Sequence, residues 1–434
     1  MSCSAIPPVL ASVVAHIAAA VPARARATFL DLLLGAAASK GGHVTDAILA
    51  AGLSRSWRTY YWFLEQGRWS WLRICEAQLE VLKQLFHPRV WYGVLDDSVV
   101  ERVSTEAPGS MMHHNHNAKP NRPKFLRGQG WLCLAAVIER NDFAVGAVPL
   151  LLRLVRRGSN RGKLRSAGLL LRLLGQRLGQ VRLLLDAWFM RAWLIQRALA
   201  AGHTVIGCVR RDLALFDVPK SPRKRKRGRP VKYGARLTPD RVAALPEHRS
   251  AAILYGKLEV VRYRTGLVAA RFLRGRVVRA VWVELERPDR RDKPRQQRLL
   301  ICTDPALSAL EVISGYAKRW AVEPLFRNLK HGFGLKDAWQ QSRQVLMRWV
   351  SVAAAGYAIA QMLAFTDPAG LAGLAEPAPW RAPGTRTAGL IQAGIARILH
   401  EVGRPTFIAA IRHKISASVA GTSGSSAPPD AKAA

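Results

Sequence analysis

Tyr92-Gly-Val-Leu-Asp96-Asp97-Ser98 is a short apolar run that stops abruptly at an acid. Val181-Arg-Leu-Leu-Leu-Asp186-Ala-Trp188 repeats the pattern about 90 residues later. An acid at the carboxyl end of a buried strand lies where open α/β sheets build their sites. The two runs together predict an α/β fold with Asp96 and Asp186 at a common edge. Strand alternation turns Asp97 to the opposite face from Asp96. Only one of the two can therefore be a ligand at that edge, the other at most a supporting neighbour.

A third acid follows in Tyr316-Ala-Lys-Arg319-Trp-Ala-Val-Glu323-Pro-Leu-Phe-Arg327-Asn-Leu-Lys330. Read as one helix of about 3.6 residues per turn, this stretch puts Tyr316, Arg319, Glu323, Arg327 and Lys330 on one face. On an ordinary surface helix the pattern is a solvated ion-paired face, with Arg319 and Arg327 each four residues from Glu323. With two strand-end acids upstream, it reads as a carboxylate among phosphate-binding groups. Three separated carboxylates suit a hard divalent cation with oxygen ligands. Two such ions ~3.5–4 Å apart would clamp both oxygens of a phosphodiester exchange.

The spacing Tyr-x2-Arg-x3-Glu-x6-Lys at Tyr316, Arg319, Glu323 and Lys330 resembles the third-acid signature of DDE transposases of bacterial insertion sequences. Asp96-Asp-Ser98 is similar to the first-acid motif of that branch, and Asp186-Ala-Trp188 to the second. The resemblance covers roughly residues 90–365. It implies an RNase H-like catalytic core with a β-rich insertion, preceded by an α-helical amino-terminal domain. It also implies Mg²⁺ or Mn²⁺ held by Asp96, Asp186 and Glu323, and cutting and joining of DNA at element ends. The implied partners are double-stranded DNA, both terminal inverted repeats and target, and a second copy of the chain in the DNA complex. The implied location is the bacterial cytoplasm, at the nucleoid. The rival readings are a related nuclease or resolvase that cuts without joining, and a DNA-binding protein with a decayed site.

Composition agrees with a polyanionic partner. The 434 residues carry 66 Lys and Arg against 29 acids, a formal charge of +37. Such an excess favours nucleic acid, although charge alone also fits an anionic membrane surface. Five scattered cysteines with no Cys-x2-Cys pair argue for a reducing compartment and against a cysteine zinc site. The start of the chain has no basic segment leading into an apolar one, so no signal peptide is expected. The apolar run 349–365 contains Ser351, Gly356, Tyr357 and Gln361, and reads as a buried core helix rather than a membrane span.

The expected organisation is a helical DNA-binding domain over 1–88, a first part of the catalytic core over 89–212, a basic linker and β-rich insertion over 213–307, the second part of the core with the Glu323 helix over 308–366, and a helical segment with a tail over 367–434. In the first domain, arginines alternate with aromatics around Arg55-Ser-Trp57-Arg58, a pattern suited to phosphates and bases but also to a helical core. Thr45 is the expected cap of a helix there. Met112-His113-His114-Asn115-His116 has three histidines but no second ligand set. It reads as a polar loop near DNA rather than a zinc site, with Lys119 a candidate contact. Arg227-Gly-Arg229-Pro230 lies in an acid-free basic run and is similar to an AT-hook, which places Arg227 and Arg229 in a minor groove.

Overall fold

The structure is a computed structural model that describes residues 6–115, 120–121, 123–140, 143–155, 160–219, 231–285, 297–367, 371, 373–375, 378–382 and 384–423. In chain order, helices α1 (Pro8–Ala19), α2 (Ala23–Ala38), α3 (Val44–Ala51), α4 (Trp57–Glu65) and α5 (Trp71–Phe86) come first. Strands β1 (Trp91–Glu101), β2 (Ser110–His114), β3 (Phe125–Glu139) and β4 (Val145–Leu154) follow. Helix α6 (Asn160–Leu178) leads to β5 (Val181–Leu185), then α7 (Ala192–Ala200), β6 (Thr204–Val209) and β7 (Leu215–Asp217). The short α8 (Pro239–Ala243) precedes β8 (His248–Leu254), β9 (Lys257–Ala270), β10 (Arg276–Leu285) and β11 (Arg298–Cys302). Helices α9 (Ala309–Ala317), α10 (Val322–His331), α11 (Arg343–Phe365) and α12 (Ala388–Ser423) complete the chain.

The fold is mixed α/β, with an 11-stranded mixed sheet among the described residues. Two compact units divide it. One comprises Met1–His87, Val100–Pro108 and Arg327–Ala434; the other comprises Pro88–Val99 and Gly109–Phe326.

The second unit holds the sheet, in the order β2-β3-β1-β5-β6-β11-β10-β9-β7, with β4 on β3 and β8 on β9. Strands β1, β5 and β6 run parallel to their neighbours in that trio. The hairpin β3–β4 and the series β6-β11-β10-β9 are antiparallel. The central strands carry continuous apolar runs. Leu183, Leu184 and Leu185 are all fully buried, as are Val205 and Ile206, because a parallel strand covered on both faces has no solvent side. The β-rich segment beyond 213 continues this same sheet through β11 beside β6. Gly207 sits on β6 where an added Cβ would collide with the Met190 sulfur, so only glycine lets the turn after β5 pack down on the sheet.

The first unit is helical. Helices α1–α5 share it with α11 and α12. At the start of α3 the structure departs from the expected Thr45 cap. The cap is His43, two residues earlier, and the His43 N–H donates to the Asp46 carboxylate at 3.1 Å. Asp46 thus satisfies a backbone donor at the helix entrance. Helix α11 is the one described helix long and apolar enough to cross a membrane, yet 83% of its apolar window is buried within the protein. Trp349 in it donates to the Gly42 carbonyl at 2.7 Å, and Gly356 lets its backbone approach that of α2 at Ala36. Both observations fit a core helix. Helix α12 bends at Gly403, whose φ of 73° leaves the helical region two residues before Pro405.

Candidate functional site

Strands β1 and β5 pair in parallel with Leu95 opposite Leu185. Asp96, within β1, and Asp186, just past the end of β5, are the next residues. One step of register therefore brings two carboxylates to the same edge of two neighbouring strands. The Asp97 side chain goes elsewhere and ion-pairs with Lys163.

Asp96 is held tightly. Its side chain is 13% exposed, and Arg319 Nη1 donates to its Oδ2 at 2.7 Å. The Asp97 N–H donates to its Oδ1 at 2.8 Å. Burial pushes the Asp96 carboxyl up to about 7, and the nearby Asp186 charge adds to the rise against the pull of Arg319. Asp186 accepts from the Phe189 N–H at 3.0 Å, which closes the turn after β5.

Glu323 reaches the same guanidinium, with Arg319 Nη2 at 3.6 Å from its Oε1. Burial alone would lower the Arg319 pKa, but Asp96, then Tyr316, Glu323 and Asp186, hold it above its ordinary value. Arg319 is thus the cation paired with Asp96 and Glu323, and the Asp186 charge adds to the rise in its pKa.

The stretch carrying Arg319 and Glu323 is not one uninterrupted α-helix. Helix α9 ends at Ala317, Lys318–Ala321 forms a 3₁₀ turn, and α10 restarts at Val322. Pro324 accounts for the break. It has no N–H for the Trp320 carbonyl, and its ring fits only the first turn of a new helix. The tightened turn carries Arg319 toward Asp96. Upstream, Ser308 and Glu311 form the expected capping box, with Ser308 N–H to Glu311 Oε2 at 2.9 Å. Arg182 on β5 braces the same segment, donating to the Tyr92 hydroxyl at 3.0 Å and facing Glu311 at 3.7 Å.

Tyr316 is 8% exposed, near Cys208, Arg319, Arg298 and Asp186 rather than in solvent. Burial raises its phenol pKa. Arg327 is exposed and Lys330 half-buried on the later turns of α10, which fall within the helical unit. Lys119, Arg227 and Arg229 lie outside the described residues. His113 is held to the Gly128 carbonyl at 3.1 Å.

Among the described residues, no three His, Cys, Asp or Glu side chains stand close enough to hold a metal ion together. The donor chemistry nonetheless suits a hard divalent cation. Asp96 and Asp186 offer only oxygens, Asp96 is desolvated, and Glu323 is half exposed. Two basic residues escaped the sequence reading. Lys318 ion-pairs with Glu139 and lies 5.0 Å from the Tyr92 ring centroid. Lys163 joins Asp97 to Trp188. Lysines in basic runs carry no sequence mark of a partner so far along the chain.

Comparison with protein-family models and with curated proteins returned no match for this chain.

Proposed function

We propose that the chain is a DDE-type transposase with an RNase H-like core, which cleaves DNA at insertion-sequence ends and joins them to target DNA. The observation that carries this reading is the placement of Asp96 and Asp186 one step past Leu95 and Leu185 of two adjacent parallel strands, with Asp96 and Glu323 paired to one guanidinium. The strand succession β4-β3-β1-β5-β6, a hairpin followed by parallel pairs, supports an RNase H-like core.

In this reading Asp96, Asp186 and Glu323 would hold Mg²⁺ or Mn²⁺. Bound there, the ion supplies Lewis acidity for attack by water or a DNA 3′-hydroxyl and for departure of the 3′ oxygen. The protein's own groups do the rest. Asp96, buried and paired, keeps a fixed orientation. Arg319 neutralises the acids until a phosphodiester arrives. The scissile phosphate then offers it a bidentate partner, and Glu323 is released to turn inward. Lys330 and Arg327 would add phosphate contacts. The basic segment with Arg227 and Arg229, together with Lys119, would hold flanking duplex through charge. A dimer would bridge two ends.

The test is cleavage of a labelled fragment carrying the gene's flanking inverted repeat, with Mg²⁺, by the wild type and by Glu323→Gln. Nicking at the boundary by the wild type alone supports the reading, and joined products separate it from a nuclease. Equal nicking by both removes Glu323 from the site. DNA binding with no cutting by either points to a decayed site.

A further inference from the structure

We infer that Lys163 is a positioning residue that ties the strand bearing Asp96 to the turn bearing Asp186. The inference rests on the metal-dependent reading above. Lys163 lies in the first turns of α6, and its ammonium ion-pairs with Asp97. The same nitrogen lies 3.7 Å from the centroid of the Trp188 ring and 4.9 Å from that of Phe189. The Lys163 and Asp97 side chains are 17% and 22% exposed, so water screens the pair only partly.

Each contact is one step from a carboxylate. Asp97 gives its N–H to Asp96 Oδ1 at 2.8 Å. Phe189 gives its N–H to Asp186 Oδ1 at 3.0 Å. One ammonium therefore grips strand β1 at Asp97 and the turn after β5 at Trp188 and Phe189, and each segment orients one acid through a backbone donor. Removing groups of this kind, which fix the ligands without touching the ion, typically costs about 10–100-fold in metal affinity or activity.

Helix stability does not explain the placement. A cation in the first turns faces the positive end of the helix dipole and is disfavoured there. A lysine serving only as a solvated surface charge would also not lie over an indole. The arrangement further gives Asp97 a role that leaves Asp96 as the ligand.

The experiment uses the full chain and the variants Lys163→Met, Lys163→Arg and Asp97→Asn. Four quantities are read: Mn²⁺ affinity from the electron paramagnetic resonance of free Mn²⁺, kcat for end cleavage at saturating DNA, DNA affinity in EDTA, and Tm. Lys163→Met and Asp97→Asn are expected to weaken Mn²⁺ binding and lower kcat by about 10–100-fold, with DNA affinity in EDTA unchanged. Lys163→Arg, which keeps a cation over the ring, should recover most of both. Wild-type Mn²⁺ affinity in Lys163→Met would overturn the inference. So would lost DNA affinity with intact Mn²⁺ binding, which would make Lys163 a phosphate contact. A lowered Tm with no recovery by Lys163→Arg would reduce it to a folding role. A wild type that binds no Mn²⁺ would overturn the metal reading itself, an outcome distinct from a wild type that binds it with Lys163→Met indifferent.

Discussion

Asp96 carries a cost that only a cation removes. Its carboxyl titrates near 7 in the folded protein, against an ordinary value of 3.8, because burial and Asp186 outweigh Arg319. The folded state therefore holds a proton that the unfolded chain has already lost between about pH 4 and 7, and stability falls as pH rises through that window. The wild type should lose Tm relative to Asp96→Asn as pH goes from 5 to 8, and added Mn²⁺ should reverse the loss. A parallel pH course for the two proteins would mean that Asp96 is not strained. Arg319 makes a matching prediction. Arg319→Gln removes the competing cation, so it should tighten Mn²⁺ binding in the absence of DNA while reducing cleavage. Both acids were legible in the sequence because each ends an apolar run. The Lys163–Asp97 pair was not, since its partners lie 66 residues apart and no spacing links them.

At the scale of elements, one polar tie stands out in the helical unit. Asp31 of α2 is fully buried and takes Arg404 of α12 through Nε at 2.7 Å and Nη2 at 2.6 Å. Tyr60 and Ser54 hydroxyls complete its shell at 2.9 and 2.8 Å. Arg404→Met would strand that carboxylate without a cation. It should cost about 3–5 kcal/mol, read as a lower urea midpoint in far-ultraviolet circular dichroism. A shift within about 0.5 kcal/mol, as for a surface change, would show the pair to be dispensable. Apolar rhythm marked residues 1–88 and part of 367–434 as helical, but a helix face does not name the helix it packs on. The pairing of α2 with α11 and α12 was therefore invisible in the sequence. The 3₁₀ turn before Glu323 had a sequence signal in Pro324, and a reading by heptad-like offsets alone passed over it.

For the whole molecule, the excess of 66 cationic over 29 acidic side chains predicts binding dominated by counterion release. The logarithm of the association constant for duplex DNA should fall linearly with the logarithm of salt, by ~0.9 for each phosphate neutralised. A flat salt response would exclude a phosphate-tracking surface. The expected insertion was legible as a run of alternating strands. Its continuity with the central sheet was not, because the register between β6 and β11 is set by partners on strands some 90 residues apart.

The most direct measurement is a metal-preference exchange at Asp186. Asp186→Cys replaces a hard oxygen with a thiolate, which Mg²⁺ binds poorly and the softer Mn²⁺ tolerates better. The account predicts that end cleavage by this variant is lost in Mg²⁺ and partly restored in Mn²⁺, with the wild type active in both. Cleavage by Asp186→Cys at the wild-type rate in Mg²⁺, or its equal loss in both metals while DNA binding and fold are intact, would contradict the placement of a metal ion on Asp186.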